Sequence, residues 1–92
     1  MLLEWDQNKA QRNLAKHGVA FEEAQYVFYD LQRIESYDGR ECYGEERWAT
    51  IGNAYATLLY VVYTVRQQET LRLISARKAN AQERKRYREA NA

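Results

Sequence analysis

The sequence predicts an α+β domain, with two N-terminal helices and a C-terminal helix packed on a mostly antiparallel sheet of about five strands, ordered β-α-α-β-β-β-β-α. Three observations predict it. The hydrophobic period is helical up to Asp30 and two-fold from Leu31 to Ala76. The last two breaks between the two-fold segments are short enough for antiparallel hairpins. Asn80 and Glu83 have the spacing of a capping box, which opens a final helix.

"LLEW", Leu2 to Trp5, mixes bulky apolar residues with a charge and suits a short first strand. Asp6 then caps a helix "QNKAQRNLAKH", Gln7 to His17. Gly18 ends it, and Lys16 and His17 fall in the last turn, where positive charge meets the negative end of the helix dipole. In "FEEAQYVFYD", Phe21, Ala24, Val27 and Phe28 share one stripe, which predicts a second, short amphipathic helix with Glu22 and Glu23 in its first turn. Strands are expected at "LQRIESY", "ERWATIG", "TLLYVVYTV" and "TLRLISA", each rich in Val, Ile, Thr or aromatics. The breaks are "DGRECYGE", "NAYA" and "RQQE", so strands two to five are expected to run as a meander. "TLLYVVYTV" is apolar at both parities, as a central strand covered on both faces would be. The last helix, "AQERKRYREA", has only Ala81, Tyr87 and Ala90 to anchor it and is expected to be mobile unless something holds it.

Ninety-two residues suffice for one domain, spanning 1–92. No apolar run approaches the roughly 20 residues that cross a bilayer, and no signal peptide is evident, so the expected compartment is the cytoplasm with no membrane partner. Cys42 and His17 are the only residues of their types, so no intramolecular disulfide and no soft-ligand metal cluster can form. The expected chemistry uses no metal and no cofactor. The net charge of +1 conceals an asymmetry: six basic and ten acidic residues up to Val65, then eight basic and three acidic from Arg66 on. A basic end of this kind holds anions or recruits a partner of opposite charge.

Six of the twelve residues from Arg77 to Arg88 are Lys or Arg. A solvated helix face is the ordinary explanation for such a run. Here Arg77 and Lys78 emerge from a strand end, and Tyr87 shares a helix side with Arg84, so cations and a phenol converge at one sheet edge. The planar guanidinium fork suits phosphate, which makes nucleic acid the leading ligand class. Lys16 and His17 have an ordinary role against the helix dipole, and a functional one in which His17 is a general base able to take a proton from a ribose 2′-hydroxyl. Glu46, Arg47 and Trp48 open the third strand, where a cross-strand ion pair and a core indole are the ordinary reading. A meander puts Arg47 near the start of the last strand and Arg77 at its end, roughly 27 Å apart for eight residues. Gly52, Asn53 and the "NAYA" turn are instead expected near Arg77. Most of the eight tyrosines, including Tyr43, read as sheet and core material, and Cys42 as an exposed loop thiol without a role.

"EWDQNKAQRNLAKHGVAFEEA", Glu4 to Ala24, with "GEERWATIG" and the closing "ISARKANAQERKRYREA", resembles the BrnT family of bacterial type II toxins over nearly the whole chain. That resemblance implies a fold similar to the RelE and barnase-like ribonuclease toxins, metal-independent RNA cleavage, and neutralisation by a BrnA-like antitoxin. DNA would be met only indirectly, through an antitoxin that represses its own operon. Two departures stand out: Ala20 replaces the Ser or Thr that often caps the second helix, and Arg88 is inserted between Tyr87 and Glu89. The wider RelE-like group places an arginine after the last strand and a tyrosine near the C-terminus beside the scissile phosphate, and Arg77 and Tyr87 match those positions.

The expected function is therefore a metal-independent endoribonuclease toxin. His17 is the first choice of base and Glu46 the second, and Arg77 stabilises charge on the phosphoryl oxygens. Tyr87 stacks on a base or protonates the leaving oxygen. Lys16, Arg47, Lys78, Arg84, Lys85 and Arg88 hold RNA phosphates, positioning the strand without reading its sequence. Glu22, Glu23, Glu41, Glu45 and Glu46 form an acidic face unsuited to RNA, and an antitoxin segment would cover the basic edge in a hetero-oligomer. Two rivals keep the same surface: a non-catalytic nucleic-acid-binding module, and a structural partner that only complexes with the antitoxin.

Overall fold

Asp6 begins the first helix as its spacing predicts: its carboxylate accepts from the Asn8 N–H at 3.2 Å, and Gly18, with φ +70°, ends it in the left-handed conformation. The computed structural model describes residues 2–42, 45–67 and 69–92, and the side chains of all of these except 39–42 and 45. The side chains of Cys42, Glu41 and Glu45, and Tyr43 as a whole, lie outside the described residues. The elements are β1 (Leu2–Glu4), α1 (Gln7–His17), α2 (Phe21–Ala24), a 3-10 segment (Gln25–Tyr29), β2 (Ile34–Cys42), β3 (Glu45–Ala54), β4 (Thr57–Arg66), β5 (Thr70–Lys78) and α3 (Ala81–Ala90). The sheet order is β1-β5-β4-β3-β2, with β1 parallel to β5 and every other pair antiparallel. The meander and the central position of β4 are as expected.

Two elements differ from the sequence reading. The expected second helix is α-helical for only four residues and then tightens, although Phe21, Ala24, Val27 and Phe28 are all buried as the stripe requires. Ala20 supplies no side-chain cap, and a run of aromatic and β-branched residues has little intrinsic helix preference to resist the tighter winding. The second strand starts at Ile34 rather than Leu31, because Asp30 Oδ1 accepts from the Gln32 N–H at 2.9 Å in a local turn. It then continues to Cys42 through most of the expected "DGRECYGE" break, with an irregularity between Asp38 and Cys42.

One sheet face carries the core. Leu59, Val61 and Tyr63 of β4 and Leu73 and Ala76 of β5 pack with Phe21, Val27 and Phe28, and the Phe28 and Tyr63 rings meet edge to face at 5.1 Å. Gly52 permits the close approach of the 3-10 segment: a Cβ there would lie 3.0 Å from the Val27 Cβ and 3.1 Å from the Val27 carbonyl oxygen. The opposite face buries Ala49, Ile51 and Val62, which belong to the other strand parity.

The edge of β5 is only half covered by a strand, since β1 pairs with Thr70–Arg72 alone. Beyond that point α1 lies along the edge, and Asn13 stands in for the missing neighbour. Its buried amide donates to the Ala76 carbonyl at 2.8 Å and to the Val19 carbonyl at 3.0 Å, while its oxygen accepts from the Ala76 N–H at 3.1 Å. The side-chain amide thus satisfies both backbone groups of one strand residue.

Asn13→Ala leaves three buried backbone groups without partners, and the expected loss is about 3 kcal/mol, read as a lower urea midpoint at unchanged slope. Gly52→Ala is expected to destabilise by about 1–3 kcal/mol in the same assay, because neither contact partner is the end of a flexible side chain.

Candidate functional site

Arg77 projects from the end of β5 onto the face opposite the main core, and the chain turns there directly into α3. Its guanidinium donates to both Glu83 carboxylate oxygens at 2.8 Å and to the Lys78 carbonyl at 3.3 Å, and it stacks over the Tyr60 ring at 4.4 Å from the centroid. Tyr60 is its register partner on β4. Asn80 and Glu83 complete the expected capping box, so Glu83 serves the cap and the arginine together. Burial pushes the Glu83 carboxyl up, but the Arg77 fork, the Asn80 N–H and the Arg77 and Arg86 charges outweigh it and hold the group below its usual range.

The expectation that Ala81, Tyr87 and Ala90 alone anchor α3 is corrected. Ala81 and Ala90 are exposed, Glu83 is the buried residue, and the helix is held by polar contacts. Tyr87 donates to Asp30 Oδ2 at 2.7 Å, Arg84 donates to the Ala79 carbonyl at 2.7 Å, and Asn91 donates to the Gln32 carbonyl at 3.0 Å. Asp30 also accepts from the Asn53 N–H at 2.8 Å, which ties α3, β3 and the segment before β2 to one carboxylate. Burial acts to raise the Asp30 pKa, yet the hydrogen bonds from Tyr87, Gln32 and Asn53 lower it on balance. Burial and Asp30 push the Tyr87 phenol up to about 12, so it is protonated throughout the neutral range.

His17, half-buried, lies at the other side of the same strand end. It lines a cleft of about 270 Å³ with Lys9, Arg12, Lys16 and Ser75, against the part of the β5 edge that lacks a strand partner. Ser75 and Arg77 point to the same sheet face, about 7 Å apart along the strand. The expected histidine and the expected arginine therefore flank one short stretch of β5. Lys9 and Arg12 were not singled out in the sequence, although with Lys16 they form a stripe at i, i+3 and i+7 on α1. None of the three is ion-paired among the described residues.

Glu46 is not brought to this end. Arg77 pairs with Tyr60 and Tyr60 with Ile51, so Glu46 is five residues down β3, roughly 17 Å away, and of the parity that points to the core face. Arg47 shares the face of Arg77 but lies roughly 13 Å along the strand from Ile51, nearer than the eight-residue span expected. Its Nε is buried with no hydrogen-bond partner among the described residues. Lys85 reaches Glu89 at 3.7 Å in an exposed pair, Arg88 is exposed, and Lys78 lines a separate cavity at the strand end. Gly52 and Asn53 adjoin Ile51 in the register, so the neighbourhood expected for Arg77 is the one found. No group of three or more metal-ligating side chains occurs among the described residues, and none of the described helices is long and apolar enough to cross a membrane.

Both carboxylates that hold α3 have lowered pKa values, so their contribution is fully present above the unfolded values of 4.5 and 3.8 and is lost as pH falls through the lower folded values. Stability is expected to drop on acidification below about pH 4.5, and Glu83→Gln should flatten that dependence; equal slopes for the variant and the parent in acid titrations of the urea midpoint would contradict this.

A comparison with curated proteins found none that matches. Among solved structures, the chain is similar to the 1.1 Å crystal structure of the ribonuclease toxin BrnT of Brucella abortus, with a TM-score of 0.63 and 24% identity over 87% of this chain and 99% of that one. At that identity the likeness establishes the fold, three helices on a mixed, mostly antiparallel five-stranded sheet. The family model described as "Ribonuclease toxin, BrnT, of type II toxin-antitoxin system" matches residues 5–83, and the chain belongs to that family.

Proposed function

We propose that this chain is an endoribonuclease that cleaves RNA without metal, by attack of a ribose 2′-hydroxyl on the adjacent phosphate. The observation that carries this reading is the convergence at one end of β5: the stripe Lys9, Arg12, Lys16 and His17 faces Ser75, and Arg77 stands two residues farther on. His17 takes the 2′-hydroxyl proton, the alkoxide attacks phosphorus, and the bond to the 5′-oxygen breaks. The departing oxygen takes up the proton that His17 received, which leaves a 2′,3′-cyclic phosphate and a 5′-hydroxyl. Arg77 stabilises the charge gathering on the phosphoryl oxygens. Three of its five N–H groups engage Glu83 and the Lys78 carbonyl in the bonds described, which fixes the fork and leaves two to meet phosphate.

Tyr87 is a positioning residue in this reading, because its hydroxyl is committed as hydrogen-bond donor to Asp30 and its raised pKa unsuits it as a base. Lys16 and Arg88 hold flanking phosphates and Lys78 meets the strand at the end of β5, while Arg84 and Lys85 are engaged within their own helix and corner. Glu46 and Arg47 take no part in the chemistry. The neutralising partner is a BrnA-like antitoxin whose acidic segment covers the basic end, so that DNA is met only through the antitoxin and the inhibited form is a cytoplasmic hetero-oligomer. A binding-only reading draws on one observation, the prior commitment of Arg77 to Glu83. It predicts normal growth when the chain is expressed without an antitoxin.

Arg77→Ala by itself leaves Glu83 buried and unpaired, so the informative variant is Arg77→Gln with Glu83→Gln, which keeps a neutral hydrogen-bonded pair. Cleavage by the parent in the presence of chelator should yield 2′,3′-cyclic ends. The paired variant should lose about 10²-fold or more, and His17→Ala a factor of about 10²–10⁴. Full activity in both variants, or cleavage abolished by chelator, overturns the mechanism.

A further inference from the structure

The turn between β3 and β4 is built from residues ill suited to it. Ala54 pairs with Thr57, so Tyr55 and Ala56 form a two-residue hairpin loop, and both have positive φ, 51° and 64°. Such a turn favours Asn-Gly or a similar pair, and a bulky aromatic in the left-handed region is an outlier. The strain does not serve burial, because Tyr55 is 72% exposed. Nor does the chain reversal require it, since Asn-Gly would make the same turn without strain. The sequence here favours an aromatic ring at that spot over an easy turn.

The ring is held in a defined setting. Tyr26 meets it at 5.3 Å and 73°, and Tyr29 lies 6.0 Å beyond Tyr26. An edge-to-face contact leaves Tyr55 at least one ring face that Tyr26 does not cover. Beside it is a cavity of about 210 Å³, lined also by Gly18, Val19, Glu23, Leu59 and Lys78. That volume is below the roughly 300 Å³ at which drug-sized sites begin, and it suits a single flat ring system. Glu23 and Lys78 line this cavity together with Tyr55, and loss of water, the neighbouring Tyr26 and the Glu23 charge push the Tyr55 phenol up. The cavity lies at the same end of β5 as the candidate site but on the core side of the sheet, since Lys78 pairs with the core residue Leu59 and has the parity opposite to Arg77. Gly18 follows His17, and Lys78 follows Arg77.

We infer that this cavity is a nucleobase subsite for guanine, in which Tyr55 stacks on the base, Glu23 accepts from its Watson–Crick edge and Lys78 donates to it. Guanine is the base that fits the polar pair. Its edge presents two adjacent donors, which engage both oxygens of one carboxylate, and next to them a carbonyl acceptor for an ammonium. Cytosine and adenine offer the carboxylate only an exocyclic amine, and uracil a single imide N–H. The stacking ring is tolerant of base identity, so selectivity falls to Glu23 and Lys78. A strand whose base enters the cavity leaves it beside Gly18, next to Lys16 and His17 in the chain, and rounds the end of β5 to reach Arg77 on the other face. The inference rests on the ribonuclease reading and adds to it the base that is recognised.

The test maps cleavage ends on RNA of random sequence. The parent protein should show guanine enriched at one fixed position relative to the cut, and both Glu23→Gln and Tyr55→Asn should reduce that enrichment about tenfold. Tyr55→Asn carries a second readout, because asparagine tolerates the left-handed region. It should raise the melting temperature while lowering base selectivity, whereas replacing a merely structural tyrosine would lower the melting temperature and leave selectivity unchanged. Cleavage without base preference, a preference for another base, or a guanine preference unchanged in both variants overturns the subsite. If the parent cuts no RNA, the ribonuclease reading fails, and titration with guanosine 3′-monophosphate decides the subsite separately. Resonance shifts at Gly18, Val19 and Tyr55 that are absent with the cytidine analogue uphold it, and their absence with guanosine 3′-monophosphate overturns it.

Discussion

The half-covered edge of β5 is the constraint on which the arrangement depends. A strand edge with unpaired N–H and C=O groups either recruits another chain or must be covered. β1 covers only Thr70–Arg72, and a helix must serve for the rest. A helix cannot continue a ladder with its own backbone, since its amides are spent internally, so one side chain makes the junction. Asn13 does this, with an amide whose donor and acceptor reproduce the groups of a neighbouring strand residue. Once Asn13 is fixed against Ala76, helical spacing fixes what flanks it: Lys9 and Arg12 before it, Lys16 and His17 after it. The same bond that completes the sheet therefore aims a stripe of cations along the strand that ends in Arg77.

The other half of the region is assembled around charge rather than apolar contact. α3 buries almost no hydrophobic surface, and in water such a helix would fray. It is instead locked by one bidentate ion pair and by a tyrosine hydroxyl on a carboxylate that also caps a β3 amide. Ion pairs of this kind add geometric definition more surely than net stability. The pair fixes the Arg77 guanidinium at one place and angle, and it makes the position of α3 sensitive to protonation of Glu83 and Asp30.

Where local chemistry decides, the sequence was legible. Asp6 and Gly18 bound α1 at Gln7 and His17, the Asn80–Glu83 box opens α3 at Ala81, and the two apolar parities of β4 mark it as the central strand. Where contacts distant in sequence decide, it was not. Gly and charged residues in "DGREC" read as a loop, yet pairing with β3 carries the strand through them. The burial of Glu83 depends on an arginine across a strand–helix corner, and the importance of Asn13 on a partner 63 residues away. Arg77, Tyr87 and His17 could be picked out by charge and spacing, but their relation to one another is a property of the sheet edge. The exclusion of Glu46 is likewise a matter of register and parity. The oddity of Tyr55 lies in a backbone angle, and no periodicity reports it.

Whether RNA follows the β5 edge decides how this end of the sheet is used. The most direct measurement is a map of backbone amide shifts on binding a 2′-O-methyl RNA oligonucleotide, which lacks the attacking hydroxyl and stays intact. If RNA runs along this edge, the shifts concentrate at Lys9–His17 and at Ser75–Lys78. Shifts confined to the far end around Arg47 and Arg72, or to the exposed side of α3, would contradict it.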